Sequence, residues 1–125
     1  MIKGVESILL FSEDAKKLAN FYKEKVGLKI TEKAGFGEEG EEYYVFEMKQ
    51  GSVLCVLDHS EVKGKNKQPE RIMFNLEVDN IRSEVKRLGK AGIKKVQDIY
   101  SVPGYGSIAT FQDIDGNFFQ LVQLE

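Results

Sequence analysis

Two stretches decide how this chain folds: residues 12–29, SEDAKKLANFYKEKVGLK, and residues 79–94, DNIRSEVKRLGKAGIK. In the first, Ser12-Glu13-Asp14 offers N-cap candidates and early negative charge. Ala15, Leu18, Phe21 and Tyr22 then recur at helical spacing, up to a stop at Gly27. In the second, Asp79 is placed to cap a helix whose apolar face is Ile81, Val85, Leu88 and Ala91, with Gly92 ending it. Gly27-Leu28-Lys29 matches Gly92-Ile93-Lys94 65 positions on, and Asp14 matches Asp79 at the same offset. The apolar helix positions slip by one or two residues, so the echo is one of structure more than of sequence. A solenoid would need more than two copies. Two copies imply two modules.

The rest of each module follows outward from its helix. Residues 5–11 read as a strand before the first helix, and 28–34 as a strand after it. A glycine- and acid-rich loop covers 35–40. Residues 43–49 and 52–58 are β-rich runs joined by a turn at Gln50-Gly51. Residues 60–70, SEVKGKNKQPE, are the least apolar stretch and read as a linker. Beyond it, 72–78 is a strand before the second helix and 93–100 a strand after it. A turn-rich loop spans 101–106, and strands 107–113 and 117–124 meet at the tight turn Asp115-Gly116. The expectation is an α+β fold: two βαβββ modules forming one curved, cup-shaped mixed sheet with the helices on its convex side. Residues 1–125 make a single domain, with module one at 5–58, the linker at 60–70 and module two at 72–124.

Composition narrows the chemistry. The 125 residues include 18 basic and 20 acidic side chains, for a formal charge of −2, which disfavours a nucleic-acid binder. One cysteine excludes an intrachain disulfide framework, and one histidine excludes any site needing two from a single chain. No apolar run approaches the ~20 residues needed to cross a bilayer, and Met1-Ile2-Lys3-Gly4 has no signal-like apolar core. A cytoplasmic location with Cys55 as a free thiol is expected.

The plan and its motifs resemble the vicinal oxygen chelate superfamily, which includes glyoxalase I, extradiol dioxygenases and bleomycin-resistance proteins. The carrying residues are Leu18-Ala19-Asn20-Phe21-Tyr22 with Val26-Gly27-Leu28, Asn75-Leu76-Glu77-Val78-Asp79-Asn80, the LGKAG run at 88–92, Tyr105-Gly106, and Asp113-Ile114-Asp115-Gly116-Asn117. In the last of these, Ile114 stands where the family has proline. The resemblance implies metal ligands on the first and last strands of each module. Carried over, those positions fall on Ser7, Cys55, Met73 and Gln120. A hydroxyl, a thiol, a thioether and an amide do not make a hard-metal site. No metal and no cofactor are therefore expected.

What remains is a cup lined by apolar and neutral polar groups, which suits a small-molecule pocket. The resemblance then points to a binding protein that sequesters an amphipathic or aromatic compound, as antibiotic-resistance members do. Phe11, Phe118 and Tyr105 would supply stacking surface, and Ser7, Asn75 and Gln120 would orient the ligand. Cys55 and Met73 belong to the same candidate lining, although both residue types pack cores more often than they act. No catalytic residue stands out. An enzyme would be a lyase, isomerase or dioxygenase holding a metal through a non-standard set such as Glu47, His59 and Glu77. Tyr100 and the loop around Pro103 could close over a ligand, and the loop 35–40 could be a second flap. Members of the superfamily commonly dimerise, so a homodimer is expected, with no nucleic-acid or membrane partner.

Overall fold

Asp14 begins the first helix by accepting the Lys17 backbone N–H at 3.1 Å. In the computed structural model, which describes residues 1–125, α1 runs Ala15–Phe21 and continues as a wider π-helical turn, Tyr22–Val26. Gly27 closes it at φ +93, where a side chain would be strained, and the N–H groups of Gly27 and Leu28 both donate to the Tyr22 carbonyl. Around this helix lie β1 (Ser7–Ser12), β2 (Ile30–Phe36), β3 (Glu41–Phe46) and β4 (Val53–Asp58). They form a four-stranded mixed sheet in the order β1-β4-β3-β2, with β1 parallel to β4.

The second module repeats that topology. β5 (Phe74–Glu77), α2 (Ile81–Lys90), β6 (Lys94–Val102), β7 (Gly106–Gln112) and β8 (Phe118–Leu124) give a second sheet in the order β5-β8-β7-β6, with β5 parallel to β8. The chain thus divides into two compact units, Met1–Gly64 and Lys65–Glu125, each a four-stranded mixed sheet with one helix. The α+β class and the twofold βαβββ plan are as expected from the sequence. Neither helix is long and apolar enough to cross a membrane.

Each helix lies against one face of its own sheet, and side-chain hydrogen bonds show which. The Asp58 carboxylate accepts the Ala15 N–H at 2.7 Å, so alternate β4 residues Leu54, Val56 and Asp58 face α1. Tyr22 meets Phe46 edge-on, and Tyr44, Phe46, Leu54, Val56 and Leu18 are buried there. In the second unit Gln123 Oε1 accepts the Ile81 N–H at 2.9 Å. Phe119 and Leu121 therefore face α2, and Phe119 stacks between Phe74 and Phe111 with centroids 6.0 Å away on each side. Burying these aromatics and aliphatics supplies the main stabilisation, roughly 1.5–3 kcal/mol for each large side chain.

Several details differ from the sequence reading. The cap of α2 is Asn80, not Asp79: Asn80 has the extended backbone of a cap, and its Oδ1 accepts the Ser83 N–H at 3.1 Å. Met73 lies one residue before β5, outside the ladder. The loop at 101–106 shrinks, because β6 reaches Val102 and β7 begins at Gly106. Between them Pro103-Gly104 makes a tight turn closed by Tyr105 N–H to the Val102 carbonyl, with Gly104 at φ +80. The loop at 35–40 likewise contracts to a four-residue turn, 37–40.

Candidate functional site

Period-two alternation sends the other half of each strand to the face turned away from the helix. In the first unit that face carries Ser7, Leu9 and Phe11 from β1, Val53, Cys55 and Leu57 from β4, and Tyr43 and Val45 from β3. It is apolar and open: Leu9 is 47% and Phe11 40% exposed. The Tyr43 hydroxyl donates to Glu32 at 3.0 Å, and the Phe11 ring meets the His59 ring edge-on at 5.2 Å.

In the second unit the corresponding face is more polar. Asn75, Gln120 and Thr110 sit side by side on β5, β8 and β7, in one row across three strands. Gln120 Nε2 donates to Thr110 Oγ1 at 2.9 Å, and Asn75 Nδ2 donates to the Tyr105 hydroxyl at 3.2 Å. Phe118 and Val122 flank Gln120 on the same face, and Met73 stands 37% exposed just outside β5. Seven of the eight residues singled out from the sequence therefore lie on, or bond to, the faces turned from the helices. Four of these, Asn75, Tyr105, Phe118 and Gln120, are gathered in the second unit. Thr110, Tyr43, Val45 and Leu57 share these faces without having been singled out. Alternation within β3, β4 and β7 is the signal that could find them.

Metal chemistry is poorly served here. The register sets Leu9 opposite Cys55 and Asn75 opposite Gln120. Ser7 pairs instead with Val53. No group of three or more His, Cys, Asp or Glu side chains is placed to hold an ion. His59 sits past the end of β4, where its Nδ1 accepts the Glu61 N–H at 3.1 Å. Glu47 is exposed beyond β3, and Glu77 belongs to β5 in the other unit. A thiol, hydroxyls and amides do not fit a hard divalent cation, which needs anionic or imidazole donors.

Cys55 is not an activated nucleophile. Burial is the first cause pushing its thiol above the ordinary range, and the carboxylates of Glu6 and Glu32 push it further the same way. At neutral pH Cys55 is thus expected to alkylate with iodoacetamide several-fold more slowly than a cysteine in an unstructured peptide. The rate should climb only above the usual thiol range; fast labelling at pH 7 would contradict this environment.

A separate cleft of about 450 Å³ lies at the start of α2, among Asn80, Arg82, Tyr100, Ser101, Ser107 and Gln123. None of the eight residues lines it. Its inner polar atoms already serve the helix, since Asn80 caps Ser83 and Gln123 holds Ile81.

Comparison with known proteins agrees with this architecture. The sequence profile described as the glyoxalase/bleomycin resistance protein/dioxygenase superfamily matches residues 4–121. An uncharacterised protein of Bacillus subtilis (strain 168), YetH, is 26% identical over 121 residues, covering 97% of this chain and 98% of its own. Among solved structures, TnmS3, an antibiotic binding protein from Streptomyces sp. CB03234, superposes with a TM-score of 0.73 at 22% identity, covering 99% of this chain and 98% of that one. The trypanothione-dependent glyoxalase I of Leishmania major superposes with a TM-score of 0.76 at 17% identity, covering 98% and 87%. At these identities the superpositions speak to the fold alone.

Proposed function

Since the chain belongs to the glyoxalase/bleomycin resistance protein/dioxygenase superfamily, we propose that it uses that fold to bind and sequester a small amphipathic or aromatic compound without the metal centre of the family's enzymes. The observation that carries this reading is the row Asn75–Gln120–Thr110, which offers neutral amides and a hydroxyl and holds no anionic or imidazole donor. Phe118 flanks Gln120 in the second unit, and the first unit's own face offers ring and aliphatic surface at Leu9 and Phe11. Apolar walls with a few orienting polar groups are the usual make-up of a small-molecule site. The antibiotic-binding role of TnmS3, on the same fold, is in keeping with it.

The two βαβββ units act in this reading as one domain, and the functional protein is a cytoplasmic homodimer, in which a free Cys55 suits a reducing compartment. A thermal-shift screen of drug-like compounds, run with and without EDTA, tests the proposal. Stabilisation by an amphipathic compound class is expected, unchanged by the chelator. Stoichiometric Ni, Zn, Mn or Fe in protein purified without chelator, together with turnover of a hemithioacetal or a catechol, would replace the binder with a metalloenzyme.

A further inference from the structure

We infer that the β2–β3 corner of the first unit's open face recognises organic cations: protonated or quaternary amines carried on an aromatic body. This deepens the binder reading by naming the charge of the compound that the first unit takes, and it rests on that reading. Pairing of β2 with β3 sets Phe36 opposite Glu41, Ala34 opposite Tyr43 and Glu32 opposite Val45. These residues share the face turned from α1, because the alternate residues Tyr44 and Phe46 are buried on the helix side. Two rings, Phe36 and Tyr43, with centroids 6.2 Å apart, therefore stand between two carboxylates. Glu32 Oε1 accepts the Tyr43 hydroxyl at 3.0 Å, and Glu41 Oε2 accepts the Glu39 N–H at 3.0 Å. Each carboxylate keeps its second oxygen for a ligand, and neither is in an ion pair.

The sheet sorts its charges by face. Lys33, next to Glu32 in β2, turns to the helix side, where its Nζ lies 5.5 Å over the Tyr44 ring and 3.4 Å from Glu42. On the open face no paired ladder position holds a lysine or arginine. The Glu32 charge is felt at Cys55, two strands away in the same row, where it helps to raise the thiol and no cation opposes it. A cation at the corner would meet the negative faces of two rings and two carboxylates, attractions that add at one point. Its apolar body has a place to lie. Tyr43, Leu57 and Phe11 form one row across β3, β4 and β1, roughly 10 Å long at the usual strand spacing. An anionic ligand on the same row would meet the two carboxylates instead.

Three probes of nearly one shape test this: 2-naphthylmethylamine, 2-naphthalenemethanol and 2-naphthoate. They would be titrated into the ¹⁵N-labelled full chain while its backbone amides are followed by NMR. The amine is expected to bind about tenfold more tightly than the alcohol, with the carboxylate weakest, and to shift the signals of Glu32, Phe36, Glu41 and Tyr43. A double variant, Glu32→Gln with Glu41→Gln, keeps an acceptor oxygen for Tyr43 and for Glu39, and should cut the preference for the amine to about threefold. Phe36→Leu removes a ring from an exposed position, so it should fold even if the double variant does not, and should weaken the amine about threefold with less effect on the alcohol. A tenfold preference that survives both changes, or that comes with shifts only elsewhere, would overturn this corner as the site. Equal affinity for the amine and the alcohol on this face, or tighter binding of the carboxylate, would overturn the charge selection and leave the binder reading standing. Probes that perturb neither unit's open face would overturn the binder reading itself.

Discussion

Replacing Gly106 with alanine is expected to destabilise the protein by about 3 kcal/mol, the upper end of what forced overpacking costs. The reason is backbone crowding between β7 and β8. A Cβ on Gly106 would fall onto the Gln123 carbonyl oxygen and lie 2.9 Å from Leu124 Cα. Both are main-chain atoms of the partner strand, so no side-chain rotation relieves the clash. The melting temperature should drop by roughly 10 °C for a domain of this size. Gly104→Ala is the control. Gly104 sits two residues earlier at φ +80 with nothing within 4 Å of its missing Cβ, so its cost is that of backbone conformation alone, about 1 kcal/mol. Equal melting temperatures for the two variants would contradict the close approach. The damage also bears on the site, because Gly106 follows Tyr105, whose hydroxyl accepts from Asn75.

Asp113→Ala is expected to cost about 2–3 kcal/mol, the range for a charged hydrogen-bonding group removed from a buried position. Asp113 is 5% exposed, and its carboxylate organises the turn into β8. Oδ1 accepts the N–H groups of Asp115 and Asn117, both at 2.9 Å, and Oδ2 accepts Asn117 Nδ2 at 3.0 Å. Alanine leaves those three donors unpaired. The Asp113→Asn variant keeps an acceptor and should lose less. Urea midpoints of the two variants against the parent chain give the comparison, and an unchanged midpoint for Asp113→Ala would show that the turn does not need its carboxylate.

That turn also marks how much is legible in the sequence. Asp115-Gly116 announces a hairpin, and Gly27 and Gly92 announce two helix ends, because glycine at a positive φ is a local requirement that the chain states locally. The twofold plan follows from those signals. What a single strand cannot state is its partner. Alternation groups Phe118 with Gln120 and Val122. Their neighbours are set by pairing with β5 and β7, whose residues lie far along the chain. Counting from the second helix therefore puts a site position on Met73, whereas the residue across from Gln120 is Asn75. The Asn75–Tyr105 bond spans 30 residues and leaves no local trace. Asp79 and Asn80 are both good cap residues by type, and only the backbone geometry at Asn80 separates them. Thr110 is silent in the sequence because a threonine between Ala109 and Phe111 reads as ordinary strand; it becomes part of a polar row only once Gln120 lies across from it.

The most direct test of the central claim is a crystal structure of the full chain soaked with a compound that raises its melting temperature. Data should be collected with anomalous signal for first-row transition metals. The account predicts ligand density against the Asn75–Gln120–Thr110 row, with a polar ligand atom within hydrogen-bond distance of the Asn75 or Gln120 side-chain amide and no anomalous peak beside it. Density confined to the cleft at the start of α2, or an anomalous peak ligated by Cys55, Gln120 or His59, would contradict it.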